Sequence, residues 1–143
     1  MAEGNGSVIR NFQTIHLSAY GDDLRHAVVN DNDFERAQAT LQSLPFLGLV
    51  DRFDESIRRL RIYVRPFVRD FAPEEFAPAA NATPERAATL SARIAEIETA
   101  LGPDLYAHLL EQNRFDLQLY QQAQQLFDRI VQAQALLGAR DFR

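Results

Sequence analysis

The chain has 143 residues, a formal charge of −5 at pH 7 and 46% hydrophobic residues, with ten Phe among them. These values predict one domain with a true hydrophobic core, and they argue against general nucleic-acid binding, which needs a basic surface. The chain has no Cys and no Lys, so thiol chemistry, disulfides and a Lys-bearing phosphate loop within it are excluded.

Neither a membrane span nor a secretory signal is predicted. No window of the chain has the uncharged apolar length that a span needs, and the start, MAEGNGSVIRNFQ, lacks an apolar stretch. A cytoplasmic protein without a membrane partner is therefore expected.

The amino-terminal part is weakly patterned. Residues 1–32 are expected to form an irregular lead-in, in which only SVIRNFQTIHLSAY (7–20) has enough apolar content for regular structure. The signals sharpen in residues 33–71, which predict a helix, a strand and a helix. The first helix, DNDFERAQATLQS, has Asp31 or Asp33 as its candidate N-cap.

The strand prediction rests on FLGLV (46–50), which is short, apolar and bounded by Pro45 and Asp51. A parallel strand normally has partners on both edges, and a lone one leaves backbone groups without hydrogen bonds. Either residues 7–17 supply a partner strand or the chain is the trailing part of a larger α/β protein. The second alternative is favoured.

The second helix of this unit has an apolar face with steps of three and four residues. Its members are Phe53, Ile57, Leu60, Val64, Phe67 and Phe71. Asp51 or Asp54 is the candidate cap of this helix, and Pro66 predicts a kink or break near residues 63–65.

Residues 72–84 contain three Pro and predict a loop, and residues 85–137 predict helices. The first of these helices is expected to start at Pro84, with Thr83 as its cap, and to end at Gly102. Its expected inward residues are Leu90, Ile94, Ile97 and Leu101.

A short helix, PDLYAHLLEQ, and a long one from about Asp116 to Leu137 complete the prediction. The long helix has one apolar face and a glutamine-rich side that is more typical of a solvent face than of a partner surface. The face consists of Leu119, Ala123, Leu126, Ile130, Ala133 and Leu137. The sequence thus predicts a mainly α fold with a minor parallel-strand element.

Three stretches carry a family resemblance when they are taken in order. They are NFQTIHLS (11–18), FLGLVDRFDESIRRL (46–60) and EQNRFDLQLYQQAQQLFDR (111–129). Together they resemble the carboxy-terminal end of Golgi-type and bacterial sulfotransferases, which use 3′-phosphoadenylyl sulfate (PAPS). The family patterns are Asn-x-Gln-Thr, then F-x-G-[LV]-T-E-x-[FL]-[DE]-x-S, then N-x-x-D-x-x-L-Y-x-x-A.

The matches cover each of the three patterns. They are Asn11, Gln13 and Thr14, then Phe46, Gly48, Phe53, Asp54 and Ser56, then Asn113, Asp116, Leu119, Tyr120 and Ala123. One departure is that Val50 and Asp51 stand where the family often shows Thr and Glu.

The resemblance implies that residues 1–143 are a single partial domain, the carboxy-terminal portion of a P-loop-like α/β sulfotransferase fold. The family's 5′-phosphosulfate loop, its 3′-phosphate-binding Arg and Ser and its catalytic base all lie upstream of this region. The chain alone is therefore expected to lack transfer activity. PAPS would be the co-substrate of the complete enzyme, with no metal and with an acceptor hydroxyl or amine of unknown identity.

The loop AANATPER is the candidate cofactor-binding segment. In the family, the equivalent loop carries an Asn-x-Ser/Thr stretch with a nearby basic residue and closes over the nucleotide. The resemblance places Asn81, Thr83 and Arg86 at these positions. Asn is able to bind an adenine edge, and Thr and Arg a phosphate. The alternative is structural: Thr83 caps a helix, Asn81 forms a turn and Arg86 is a surface residue.

Six arginines lie between residues 51 and 71, namely Arg52, Arg58, Arg59, Arg61, Arg65 and Arg69. They are able to attract an anionic donor or acceptor, but such a stripe is more often a solvated face or a set of ion pairs. His16 would lie near a site only if its stretch lines the pocket. No catalytic residue and no metal ligand set is predicted.

A second functional hypothesis comes from a different class. The chain would be a helical interaction module without catalytic activity, descended from such an enzyme, that forms a homodimer or binds a partner through exposed apolar surface.

Overall fold

The computed structural model describes residues 10–18, 29–71 and 89–138. This part of the chain is mainly α-helical, and no strand occurs within it. A single 3-10 turn, Val50–Arg52, precedes the third helix. The helices are α1 (Phe12–Ser18), α2 (Asp31–Ser43), α3 (Phe53–Val64), α4 (Leu90–Leu101), α5 (Pro103–Gln112) and α6 (Arg114–Gly138).

The prediction of an irregular lead-in is wrong for α1, which is a helix and packs against α2 and α6. The less favoured alternative, in which residues 7–17 supply a partner strand, is excluded over 12–17 because these residues are helical. Local pattern is a poor guide here, because a seven-residue helix is too short to be stable alone and depends on tertiary contacts.

Helix α2 begins with a capping box at Asn30, not with a cap at Asp31 or Asp33. The Asp33 backbone N–H donates to the Asn30 side chain over 3.2 Å, and the Asn30 N–H donates back to the Asp33 carboxylate over 3.0 Å. The sequence prediction identified the correct turn, but Asp33 is the third helical residue of the box.

The hydrophobic core joins α1, α2, α6 and the extended segment 46–49. Its buried members are Ala37, Leu41, Leu47, Leu49, Leu119, Ala123 and Phe127. Phe127 is fully buried, and Leu17 and Phe34 pack against the edge of this cluster. The predicted inward positions Leu119 and Ala123 of α6 are therefore confirmed, whereas Ala133 is exposed.

The predicted strand FLGLV is wrong: residues 46–49 are extended but pair with no strand in the described ranges. Side chains of α3 take the place of a neighbouring strand. The Ser56 hydroxyl accepts from the Leu49 N–H over 2.8 Å and donates to the Leu49 carbonyl over 3.1 Å. Arg59 Nη1 donates to the Leu47 carbonyl over 3.1 Å. Three backbone groups that a lone strand would leave unsatisfied, the Leu49 N–H and the carbonyls of Leu47 and Leu49, are thus bonded without a sheet.

The predicted apolar face of α3 is only partly correct. Ile57, Leu60 and Val64 are half-buried, but Phe53 is 51% exposed and Phe67 is 79% exposed. The buried residues of α3 are instead Ser56 and Arg59, because these two side chains must face segment 46–49. The helix ends at Val64, so the predicted break before Pro66 is confirmed.

Helices α4 and α5 form a hairpin around Gly102, whose φ of +75° suits glycine. Helix α4 begins at Leu90 with Thr89 as its cap, so the expected start at Pro84 is wrong. Its expected inward residues are also wrong. Leu90, Ile94, Ile97 and Leu101 are between 37% and 47% exposed, and α4 has no buried residue. Within the described ranges, no helix has both the length and the apolar composition to cross a membrane.

Candidate functional site

The amino termini of α1 and α6 cap each other through Asn11 and Asp116. The Asn11 side-chain oxygen accepts from the backbone N–H groups of Phe115, over 3.1 Å, and of Asp116, over 3.2 Å. Asp116 in turn accepts from the N–H groups of Gln13, over 3.0 Å, and of Thr14, over 2.8 Å. Each helix therefore supplies the side chain that satisfies the first backbone donors of the other.

Asn11 needs an unusual backbone for this role. Its φ is +51°, a left-handed conformation that Asn tolerates better than most residues do. Its side-chain amide donates to the Gln112 carbonyl over 2.9 Å, and its backbone N–H donates to the Asn113 side chain over 3.1 Å. Because Asn11 is only 8% exposed, loss of its side chain would leave several buried groups without partners.

Asp116 is the charged member of the pair. Besides the two backbone donors, it accepts from the Thr14 hydroxyl over 2.7 Å, and Thr14 is fully buried. A carboxylate at a helix amino terminus interacts favourably with the exposed N–H groups and with the helix dipole. The pair thus fixes a helix of seven residues to a helix that begins about a hundred residues later in the chain.

Within the second matched stretch, Gly48 and Ser56 allow a close contact between segment 46–49 and α3. Gly48 lies where a Cβ would approach both the Phe46 ring and the Ser56 Cβ at 3.3 Å. Glycine therefore allows α3 to approach segment 46–49 closely enough for Ser56 to bond both backbone groups of Leu49. The matched residues Gly48 and Ser56 consequently have a packing role.

The third stretch contacts the 3-10 turn that precedes α3 through Tyr120 of α6. The Tyr120 hydroxyl donates to the Asp51 carboxylate. Burial, and then the hydrogen bond and charge of Asp51, raise the pKa of Tyr120 to about 12. The acidic residue at position 51, which in the family pattern is Glu, is therefore paired to a residue of the third pattern.

Two arginines enclose the ring of Phe127. The Arg52 and Arg59 guanidinium carbons lie 4.5 Å and 4.4 Å from its centroid. Arg52 also pairs with Asp128 and with Glu55, which together raise its pKa. Arg59 is 8% exposed, and burial lowers its pKa. Its Nε is a buried nitrogen without a hydrogen-bond partner.

The six arginines of residues 51–71 therefore do not act together. Arg52 and Arg59 contact the Phe127 ring, while Arg58, Arg65 and Arg69 are exposed. For Arg52 the structure agrees with the alternative of ion pairs to neighbours, and the guanidinium of Arg59 is buried in the fold.

The histidine hypothesis receives no support from the geometry around His16. Its Nδ1 lies 2.8 Å from the Phe12 carbonyl oxygen, and its ring stacks on that of Phe12 at 3.9 Å. Among the described residues, no group of three or more His, Cys, Asp or Glu side chains is positioned to hold a metal ion.

The predicted cofactor-binding residues Asn81, Thr83 and Arg86 lie outside the described residues. What the structure does bring together is the set of residues that carries the family resemblance. Sequence reasoning did not predict the Asn11–Asp116 pair, the burial of Arg59 or the central place of Phe127. The available signal was the polar character of Asn11 just before α1 and of Asp116 in the first turn of α6, which is typical of helix amino termini.

Comparison with known proteins gives one relative. No protein-family model matches the chain, and no solved structure does. An uncharacterized protein from the archaeon Archaeoglobus fulgidus is 28% identical over 119 residues, which are 83% of this chain and 45% of that protein. The matched region thus spans less than half the length of this relative.

Asp116→Ala should destabilise the protein by about 2–3 kcal/mol, because it removes three hydrogen bonds and leaves the buried Thr14 hydroxyl without its acceptor. Chemical denaturation measures the loss. Glu96→Ala, which removes an exposed carboxylate from α4, is the matched control and should change stability by less than about 0.5 kcal/mol. Equal stability of the two variants would contradict the capping role.

The Tyr120 phenol should titrate at about 12, above the usual value of about 10. Since folding raises this pKa, the associated stability is present below about pH 10 and is lost as the pH rises towards 12. Ultraviolet absorbance of phenolate, compared with Tyr120→Phe, isolates this group. Asp51→Asn should move the midpoint down only part of the way, because burial persists. An unchanged midpoint in Asp51→Asn would exclude the contact.

Proposed function

We propose that this chain is the carboxy-terminal portion of a PAPS-dependent sulfotransferase. The complete enzyme transfers a sulfuryl group from PAPS to an acceptor hydroxyl or amine, with no metal. This portion contributes helices that hold the domain together and the segment with Asn81, Thr83 and Arg86, which contacts the nucleotide. The proposal includes a cytoplasmic location.

One observation carries the proposal: the three stretches that resemble the family are in contact with one another. Asn11 and Thr14 from the first bond to residues 113–116 of the third. Asp51, within the second, bonds to Tyr120 of the third. These contacts join positions that lie between about 70 and about 100 residues apart in the chain. Their contact supports the view that the three patterns mark one arrangement of this fold.

The roles of the matched residues also suit an enzyme whose chemistry lies elsewhere in the domain. Sulfuryl transfer requires fixed cations and N–H donors that stabilise the departing bisphosphate. The matched residues are occupied by caps and packing. In this proposal, the catalytic groups come from the portion of the domain that precedes the chain in the family.

The nucleotide contact is tested with 3′-phosphoadenosine 5′-phosphate, the product of PAPS after transfer. Isothermal titration should show weak, saturable binding that Asn81→Ala and Arg86→Ala each reduce by about tenfold, the effect of one lost charge-assisted hydrogen bond. Arg129→Ala removes an exposed arginine of α6 and is the matched control.

Two results would contradict the proposal. One is binding that persists in the Asn81→Ala, Arg86→Ala double variant. The other is sulfuryl transfer from PAPS by the purified chain itself, since the proposal assigns the catalytic groups to another part of the enzyme.

The helical interaction module remains a second candidate because of the α4–α5 hairpin. Its exposed large apolar residues are Leu90, Ile94, Ile97, Leu101, Leu105, Leu109 and Leu110. Single exposed apolar residues are ordinary, but a continuous set of this kind is typical of an interface. In the sulfotransferase proposal, this apolar face packs against the rest of the domain. In the interaction-module hypothesis, the same face is the interface of a homodimer.

The module candidate makes a clear prediction about oligomeric state. Sedimentation equilibrium should show a dimer that Ile94→Glu converts into a folded monomer, because a charge cannot be buried in an apolar interface without a large cost. Glu96→Ala, on the same helix, is the control. A monomer at all concentrations would exclude the homodimer and leave the sulfotransferase proposal in place.

A further inference from the structure

The chain beyond the end of α3 keeps a helical winding for one more turn. The Arg65 N–H donates to the Arg61 carbonyl over 3.0 Å, and the N–H groups of Phe67 and Val68 both donate to the Val64 carbonyl over 2.9 Å. Ile62 and Pro66, four residues apart, therefore lie on one side of this turn. Arg69 lies just beyond the turn and, like Arg65, borders the same surface depression.

These four residues, all exposed, line an open cavity at the surface. A volume of about 610 Å³ is lined by Ile62, Arg65, Pro66 and Arg69. A neighbouring cavity of about 280 Å³ shares three of these residues and extends to Phe71. A volume in this range is typical of small-molecule sites, in which a few polar groups lie among apolar side chains.

The two guanidiniums at this cavity have no protein partner in the described ranges. Within the described ranges, no side-chain hydrogen bond or ion pair joins the Arg65 or Arg69 guanidinium to another residue. This separates them from Arg52, which is in ion pairs with Glu55 and Asp128, and from the buried Arg59, which bonds to the Leu47 carbonyl. Both are exposed, so each retains its full set of donors for a ligand.

The local charge favours an anion despite two opposing contributions. The carboxyl end of a helix has about half a negative charge, and Asp70 adds one carboxylate next to Arg69. The two arginines at the cavity carry two positive charges that the fold does not neutralise, and Arg61 lines the smaller cavity. The balance is positive within a chain of −5 overall, so an anion is attracted here by local charge and not by the net charge of the protein.

We propose that this cavity is a binding site for a sulfate or phosphate group attached to a larger organic ligand. The planar guanidinium fork matches two oxygens of such a tetrahedral anion, and two forks match a doubly charged group better than a single carboxylate. Ile62 and Pro66 provide apolar surface for the carbon skeleton of the ligand. The site differs from the segment with Asn81, Thr83 and Arg86 and does not depend on the sulfotransferase proposal.

Pyrophosphate is the probe for the site, because it presents the charged group without the organic body. Isothermal titration of the full chain should show saturable binding that weakens as salt is raised. Arg65→Gln and Arg69→Gln should each weaken the binding by about tenfold, and the double variant should abolish it. Arg129→Gln removes the same charge from α6 and should leave binding unchanged, with circular dichroism as the check on folding for every variant.

The outcomes separate this site from the other proposals. Binding that persists in the Arg65→Gln, Arg69→Gln double variant would overturn the inference, as would an equal loss in Arg129→Gln. Loss of pyrophosphate binding in Arg86→Ala, with binding retained in Arg65→Gln and Arg69→Gln, would overturn it too, because the anion would then bind to the segment with Asn81, Thr83 and Arg86. Binding to vesicles that contain phosphatidic acid, without binding of pyrophosphate, would identify a membrane-surface contact and would also overturn it.

Discussion

The reciprocal caps of Asn11 and Asp116 are the interaction on which the described arrangement depends. Helix α1 has seven residues and little stability of its own, yet it covers part of the core formed by α2 and α6. The Asn11 side chain accepts from backbone N–H groups at the start of α6, and the Asp116 side chain accepts from those at the start of α1. These contacts fix the position and direction of α1. The left-handed backbone of Asn11 is compatible with this contact, and Thr14 extends it into the interior.

A second constraint concerns segment 46–49, which is extended but has no strand beside it. Ser56 and Arg59 satisfy its backbone groups from α3, and this requirement outweighs the apolar face of that helix, so that Phe53 and Phe67 are exposed. Arg59 remains buried beside Phe127 because its guanidinium lies over the ring while Nη1 bonds to Leu47. Polar contacts therefore decide which side of α3 faces the core.

The structural roles of the matched residues bear on the function of the chain. The matched residues of the three stretches act as caps, close contacts and one Tyr–Asp pair, and these are properties of a scaffold. In the proposed sulfotransferase, the catalytic groups belong to another part of the domain, and this portion adds only the nucleotide-contacting segment to its scaffold role. The chain's own surface offers two features that the scaffold does not use: the apolar face of the α4–α5 hairpin and the arginine-lined cavity after α3.

The sequence by itself determined the mainly helical class, the break before Pro66, the end of a helix at Gly102 and the inward positions Leu119 and Ala123 of α6. These features follow from local rules of proline, glycine and helical spacing, which act over a few residues. Only the tertiary structure decided that residues 12–18 are helical, that segment 46–49 bonds to α3 and that Asn11 pairs with Asp116. Each of these features depends on contacts with residues that are distant in the sequence. A local sequence pattern does not indicate which distant residues will be in contact.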